Sequence, residues 1–118
     1  MEKKFLVTGG SGFIGSALVI KLVEQGHKVV VLDNNSRGNV RRLESVIDDI
    51  EFYEGDITKY DIVKKVCQNV DTVCHLAYIN GTRFFYEIPE KVLEVGVKGM
   101  MNILDACVEH RINNLILA

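Results

Sequence analysis

Apolar residues in this chain recur with two periods that alternate along its length. Short apolar runs bounded by turn formers cover residues 4–8, 28–33, 50–53, 70–77 and 114–118, and read as strands. Between them lie segments whose apolar positions repeat every three or four residues, as one face of a helix does. Residues 13–25 carry Ile14, Leu18 and Leu22 on the face turned to the sheet, flanked by Val19 and Val23, with Gly26 as a stop. Shorter helices are predicted over 39–46 and 60–68. A long one begins at Pro89, the only proline and a residue suited to a first helical turn. It runs to 110 through Val92, Leu93, Val95, Met100, Ile103, Leu104 and Cys107. Residues 78–87, with Gly81 and Phe84-Phe85-Tyr86, show neither period and read as irregular.

Strands separated by helices pair in parallel through right-handed crossovers, which buries both faces of the sheet. The predicted fold class is therefore α/β, a Rossmann-type doubly wound parallel sheet in three αβα layers. The expected strand order is 3-2-1-4-5, with a ligand crevice where the order reverses, between the first and fourth strands. A chain of 118 residues is one domain, and no linker, low-complexity tract or repeat divides it.

The most specific chemistry sits at the end of the first strand, in Thr8-Gly9-Gly10-Ser11-Gly12-Phe13-Ile14-Gly15. A strand running into a glycine cluster that opens a helix presents backbone N–H groups and a positive helix end to a pyrophosphate. Gly10, Gly12 and Gly15 fit Gly-x-Gly-x-x-Gly, and Gly9, Gly12 and Gly15 fit Gly-x-x-Gly-x-x-Gly. Asp33 closes the second strand at the distance expected of a carboxylate that accepts both ribose hydroxyls. It would repel a 2′-phosphate, which favours NAD over NADP. Arg37, just beyond, is the residue type that holds such a phosphate, and Asp33 also reads as a turn cap in Asp33-Asn34-Asn35-Ser36.

Charge and cysteine usage narrow the classes further. A net charge of -2 with dispersed basic residues argues against a nucleic-acid surface, Arg37, Arg41 and Arg42 reading as a solvated face. No apolar run approaches membrane-spanning length, and the N-terminus has a strand pattern instead of a signal sequence. Cys67, Cys74 and Cys107 lack Cys-x-x-Cys spacing and read as small buried hydrophobes in a reducing cytoplasm, with no metal site. Two glycosylation patterns, at Asn34 and Asn80, are accidents in that setting. His75 follows an apolar strand and is expected to be a hydrogen-bonded core histidine.

On these motifs the chain resembles the extended short-chain dehydrogenase/reductase family, specifically the NAD-dependent sugar-nucleotide epimerases and dehydratases. The matching pieces are the glycine run, Leu32-Asp33-Asn34, Gly55-Asp56-Ile57, His75-Leu76-Ala77 and the helix around Gly99 and Asn102-Ile103-Leu104. The resemblance implies that Gly9, Gly12, Phe13, Ile14 and Gly15 line the pyrophosphate turn. It implies that Asp33, Asn34 and Ser36 hold the adenosine ribose, and that Asp56 and Ile57 flank adenine. Leu76 and Ala77 would pass behind the nicotinamide. Ile57 and Leu76 also read as plain core, and Asp56 as a cap for the helix that follows.

Two departures stand out. Relatives of this kind often carry an asparagine in the long helix where this chain has Gly96, a residue costing about 1 kcal/mol against alanine in a helix interior. The family's catalytic serine or threonine and its Tyr-x-x-x-Lys are expected beyond the strand at 114–118. No catalytic residue is therefore assigned, and the chain reads as the N-terminal cofactor part of a longer enzyme, inactive alone. Tyr60-Asp61-Ile62-Val63-Lys64 has the right letters on the adenine side of the sheet, away from any proton exchange. The leading expectation is UDP-sugar 4-epimerisation by hydride transfer to NAD, with the sugar nucleotide bound only by the full enzyme. The alternative is a non-catalytic, NAD-responsive module acting through protein partners. A homodimer through the helix at 89–110 is also expected.

Overall fold

The computed structural model describes residues 1–35, 38–78 and 86–118. Its strands are β1 (Lys4–Thr8), β2 (Lys28–Asp33), β3 (Ile50–Glu54), β4 (Thr72–His75) and β5 (Asn114–Leu117). All pair in parallel in the order β3-β2-β1-β4-β5, the order expected for a doubly wound sheet. The helices are α1 (Phe13–Glu24), α2 (Tyr60–Val66), α3 (Pro89–Leu93) and α4 (Gly99–Glu109).

Successive strand residues point to opposite faces, and this parity sorts the core into two. Leu6, Val30, Leu32 and Val73 face one side, where Val63 and Val66 of α2 and Ile103, Ala106 and Cys107 of α4 cover them. Val7, Val29, Val31 and Cys74 face the other, beneath Val19 and Leu22 of α1 and Leu43 and Val46. Both faces being buried accounts for the unbroken apolar letters of β2. The three cysteines are free and buried, and burial, helped by Cys107 nearby, pushes the Cys67 thiol up to about 12. They pack as hydrophobes.

Several elements differ from the sequence expectation, each for a local reason. Ile14 is 72% exposed, and α1 instead buries Gly15, Ser16, Val19 and Leu22. The small residues at 15 and 16 let the first turn lie against the loop before it, which turns the buried line away from Ile14. The segment Val40–Asp49 forms successive 3₁₀ turns, because Val40, Leu43 and Val46 recur every three residues, the period of that helix. Asn39 caps it by accepting the Arg41 N–H at 2.9 Å. The helix predicted over 60–68 closes at Val66, and Asn69 beyond it has φ of 61°. The strand predicted over 70–77 is confined to Thr72–His75, since the Leu76 N–H is shared between the Thr8 carbonyl and hydroxyl and the Ala77 N–H turns to the hydroxyl.

The long helix is continuous but not uniform. A π turn, Glu94–Lys98, separates α3 from α4. Of the apolar residues that repeat along it, Leu93 and Leu104 lie on the outer face, and Val92, Val95, Gly99, Asn102, Ile103, Ala106 and Cys107 face the sheet. Asn102 is the polar member of that buried line, and its Nδ2 donates to the Ile57 carbonyl at 2.9 Å. Asn102→Ala would leave this carbonyl unpaired in the core, which costs about 1–3 kcal/mol. The expected result is a lower urea midpoint with an unchanged slope, and an unshifted midpoint would show that the bond contributes nothing.

Candidate functional site

The turn after β1 is fixed by one positive φ and two close approaches. Gly9 has φ of 74°, and its N–H donates to the Leu32 carbonyl at 2.9 Å, tying the turn to β2. A Cβ at position 15 would stand 2.1 Å from the Gly9 oxygen, so the first turn of α1 can rest on the loop only with glycine there. Gly12 is the residue before α1, its N–H bonded to Gly9 O at 3.1 Å, and no side chain caps the helix. No acidic residue occupies the first turn either, so the positive end of α1 is left without a protein counter-charge there. Phe13 and Ile14, 83% and 72% exposed, flank that end. The spacing 9, 12, 15 therefore shapes the turn. Gly10 serves packing instead, since a Cβ there would meet Val31 Cγ1 at 2.6 Å.

Asp33, at the carboxyl end of β2, is buried and holds this loop. Its Oδ2 accepts the Ser11 N–H at 3.0 Å and its Oδ1 the Asn35 N–H at 2.8 Å. An ionised carboxylate offers about four lone-pair positions, so two remain for a further donor. Ser11 is the hub that sequence reasoning missed. Its Oγ donates to Asn35 Oδ1 at 2.8 Å, and its carbonyl accepts the Asn39 N–H at 2.9 Å and Arg42 Nη1 at 3.3 Å. A Cβ on Gly38 would come within 2.2 Å of Ser11 Oγ, which is a signal the sequence carried as one more glycine. Asn34 lies beside Asp33 and is exposed, whereas Ser36 and Arg37 fall outside the described residues.

At the other wall of the crevice, the ends of β1 and β4 are joined through Thr8. Its hydroxyl oxygen accepts the Leu76 and Ala77 N–H groups at 3.0 and 3.1 Å and lies 2.7 Å from His75 Nδ1. Both acceptor positions being taken, the hydroxyl must donate to Nδ1. This makes His75 the neutral tautomer with its proton on Nε2. Burial pushes the His75 pKa below its ordinary value, in agreement with that assignment. The expectation of a hydrogen-bonded core histidine matches this geometry. A Cβ on Gly9 would meet Ala77 N at 3.0 Å, so the floor of the crevice is bare backbone.

Asp56 sits past β3 and caps the turn before α2. Its Oδ1 accepts both the N–H and the hydroxyl of Thr58 at 2.8 Å, and Oδ2 has no hydrogen-bond partner among the described residues. Burial raises its pKa, but the two Thr58 bonds and the charges of Lys91 and Lys59 outweigh this and leave it lowered. Ile57 is buried in the core against Gly99, where a Cβ would stand 2.5 Å from Ile57 Cδ1. Gly96 has a packing reason too, because a Cβ there would meet the Tyr78 ring at 2.6 Å.

The Tyr60 and Lys64 pair lies elsewhere. The Tyr60 hydroxyl donates to Glu109 at 2.5 Å and Lys64 pairs with the same carboxylate at 3.0 Å, joining α2 to α4. That bond to Glu109 pushes the Tyr60 pKa up to about 12, the wrong direction for proton exchange near neutrality. A groove at the amino ends of the strands is lined by Lys4, Lys28, Asp49, Glu51 and Asp71, and within it Lys4 pairs with Glu51 at 3.5 Å. Ligands of open α/β sheets bind at the carboxyl ends, where Gly9, Asp33 and Ala77 converge. Among the described residues no helix is long and apolar enough to cross a membrane.

Residues 5–118 match the model of the NAD dependent epimerase/dehydratase family. The chain is 39% identical over 105 residues to a UDP-glucose 4-epimerase of Neisseria meningitidis serogroup B, covering 84% of this chain and 31% of the relative. Among solved structures it is similar to the UDP-glucose 4-epimerase of Thermotoga maritima with UDP-glucose, at a TM-score of 0.90 and 30% identity, covering 97% of this chain and 37% of that one. It is also similar to the Thermus thermophilus UDP-glucose 4-epimerase in complex with NAD, at a TM-score of 0.87 and 32% identity, covering 95% and 36%. The chain spans about a third of the length of the curated relatives it matches.

Burial of His75 sets a pH dependence whose sign follows from the lowered histidine pKa. The unfolded chain takes up a proton first, near the ordinary value of about 6.5, so stability falls as pH drops below that value and towards the lower folded pKa. Urea midpoints measured from pH 7.5 to 5 should decline through this window in the native protein. The decline should be shallower in His75→Gln, and equal slopes would remove His75 as its source.

Proposed function

Because the chain belongs to the NAD-dependent epimerase/dehydratase family, we propose that it is the NAD-binding unit of a sugar-nucleotide epimerase. UDP-sugar 4-epimerisation is the leading reading, supported by the UDP-glucose 4-epimerases among its relatives. Bound NAD supplies an acceptor for a hydride taken from the sugar and then returned. The chain's own residues bind and orient. The turn of Gly9, Gly12 and Gly15, with the amides of Phe13 and Ile14 at the uncapped end of α1, offers donors to a pyrophosphate. Asp33 uses its remaining acceptor capacity on the adenosine ribose, with Asn34 and Ser36 beside it. Asp56 offers Oδ2 to the adenine amino group next to Ile57, while Leu76 and Ala77 back the nicotinamide.

The observation that carries this reading is the 3.0 Å bond from the Ser11 amide to Asp33, which unites a pyrophosphate-type turn and a ribose-type carboxylate in one rigid unit. The free cysteines fit a reducing cytoplasm. Calorimetric titration should give saturable NAD binding and much weaker NADP binding. Asp33→Asn should weaken NAD by about tenfold to a hundredfold, the scale of a lost charged hydrogen bond. Equal affinity in Asp33→Asn would remove the ribose role.

The long helix supports a homodimer in the same reading. Leu93, Val97, Met101, Leu104 and Val108 are 62%, 57%, 57%, 45% and 80% exposed and recur at helical spacing along one outward stripe. An apolar stripe of this kind marks an association surface. Sedimentation equilibrium should show dimers that Val97→Glu with Met101→Glu converts to monomers. A native monomer across a wide concentration range would overturn the dimer.

A further inference from the structure

The adenosine end of the crevice carries a second carboxylate with an arranged position. Glu54 ends β3 as Asp33 ends β2, and the two are register partners in adjacent parallel strands. Neighbouring strands lie about 5 Å apart, so the two carboxylates share one short rim. Glu54 is exposed on the sheet's outer strand, where a glutamate would ordinarily spread over many rotamers. Here it is held. Asn35 Nδ2 donates to Glu54 Oε1 at 2.9 Å, while Asn35 Oδ1 accepts from the Ser11 hydroxyl and the Asn35 N–H bonds Asp33.

Asn35 can make all three bonds because it adopts φ of 60°, a left-handed conformation that asparagine tolerates better than other side chains. One residue thus ties the glycine loop, the ribose-type carboxylate and the end of β3. Nothing in turn formation requires the last of these. Its consequence is electrostatic: a second negative charge is fixed beside Asp33, at the end of the crevice where a 2′-phosphate would enter. Arg42 brings a positive charge to the same loop through its bond to the Ser11 carbonyl, so the preference is a balance of charges.

Resting on the NAD-binding reading above, we infer that Glu54, oriented by Asn35, is a second specificity determinant that disfavours the 2′-phosphorylated dinucleotide. Asp33 rejects the phosphate by occupying the ribose hydroxyl position. Glu54 rejects it by charge. Asn35 is a positioning residue, since it acts only through where it holds the glutamate.

The test is the ratio of NADP to NAD dissociation constants, measured by calorimetric titration to millimolar ligand. Glu54→Gln keeps an acceptor for Asn35 and removes the charge, and should narrow the ratio by about threefold to fivefold, the scale of an exposed charge interaction. Asn35→Gly keeps the left-handed backbone, removes the tether and should narrow the ratio in the same direction. The double variant should do no more than Glu54→Gln alone, because the tether has no separate route to the phosphate. Raised salt should narrow the native ratio and leave that of Glu54→Gln less affected. An unchanged ratio in Glu54→Gln, including NADP binding that stays undetectable, overturns the inference while native NAD binding stands. Additive effects in the double variant overturn the role of Asn35. Failure of the native protein to bind NAD overturns the cofactor reading and this inference with it.

Discussion

The hydroxyl of Thr8 is the interaction on which the rest of the site depends. Two parallel strands that continued in register past Thr8 and His75 would close the sheet edge and leave no crevice. The Leu76 N–H is shared between the Thr8 carbonyl and hydroxyl and the Ala77 N–H goes to the hydroxyl alone, so β4 ends there and its chain bends away with its backbone donors satisfied. The same hydroxyl spends its proton on His75, which fixes that ring as neutral. A single β-branched residue thereby ends one strand, orients a buried imidazole and sets the backbone floor of the cleft.

The opposite wall is built with charge. Asp33 is largely buried, yet its burial is compensated by two backbone amides, one from each loop that it joins. The glycine turn is in this way fastened from the β2 side by a carboxylate and from the β4 side by close backbone contact. The two walls differ in how they respond to conditions. The Thr8 wall is sensitive to histidine protonation, and the Asp33 wall to the charge around it.

Much of the fold was legible because parallel strands buried on both faces leave uninterrupted apolar runs, and helices between them leave a different period. A doubly wound sheet with a crevice at its switch point follows from that alternation, and the order 3-2-1-4-5 is one of the two common orders it allows. Element ends were less legible. The 3₁₀ turns at Val40–Asp49 depend on a spacing of three that a short helix can also show, and α1 turned its buried line because Gly15 and Ser16 are small. Leu93 and Leu104 are exposed because they stand about 100° round the helix from the buried line of Val92, Val95, Gly99, Ile103 and Ala106, although their apolar letters alone do not say so. At the site, Asp33 and the glycines announced themselves through spacing. Ser11, Asn35 and Thr8 did not, because their importance lies in hydrogen bonds between residues 19 to 69 positions apart.

The contact between Gly15 and the Gly9 oxygen has a genetic consequence. Every single-base change in a glycine codon that alters the residue introduces a Cβ or a stop. At position 15 that atom would fall 2.1 Å from a carbonyl oxygen, and at position 38 it would fall 2.6 Å from the Ser11 backbone. Neither obstacle is the flexible end of a side chain that can swing aside. No one-step amino-acid replacement at either codon is therefore sterically admissible in this backbone, whereas Gly26, with open space around it, is restricted only by its φ. Lineages can drift around these two codons but not through them without first rebuilding the turn.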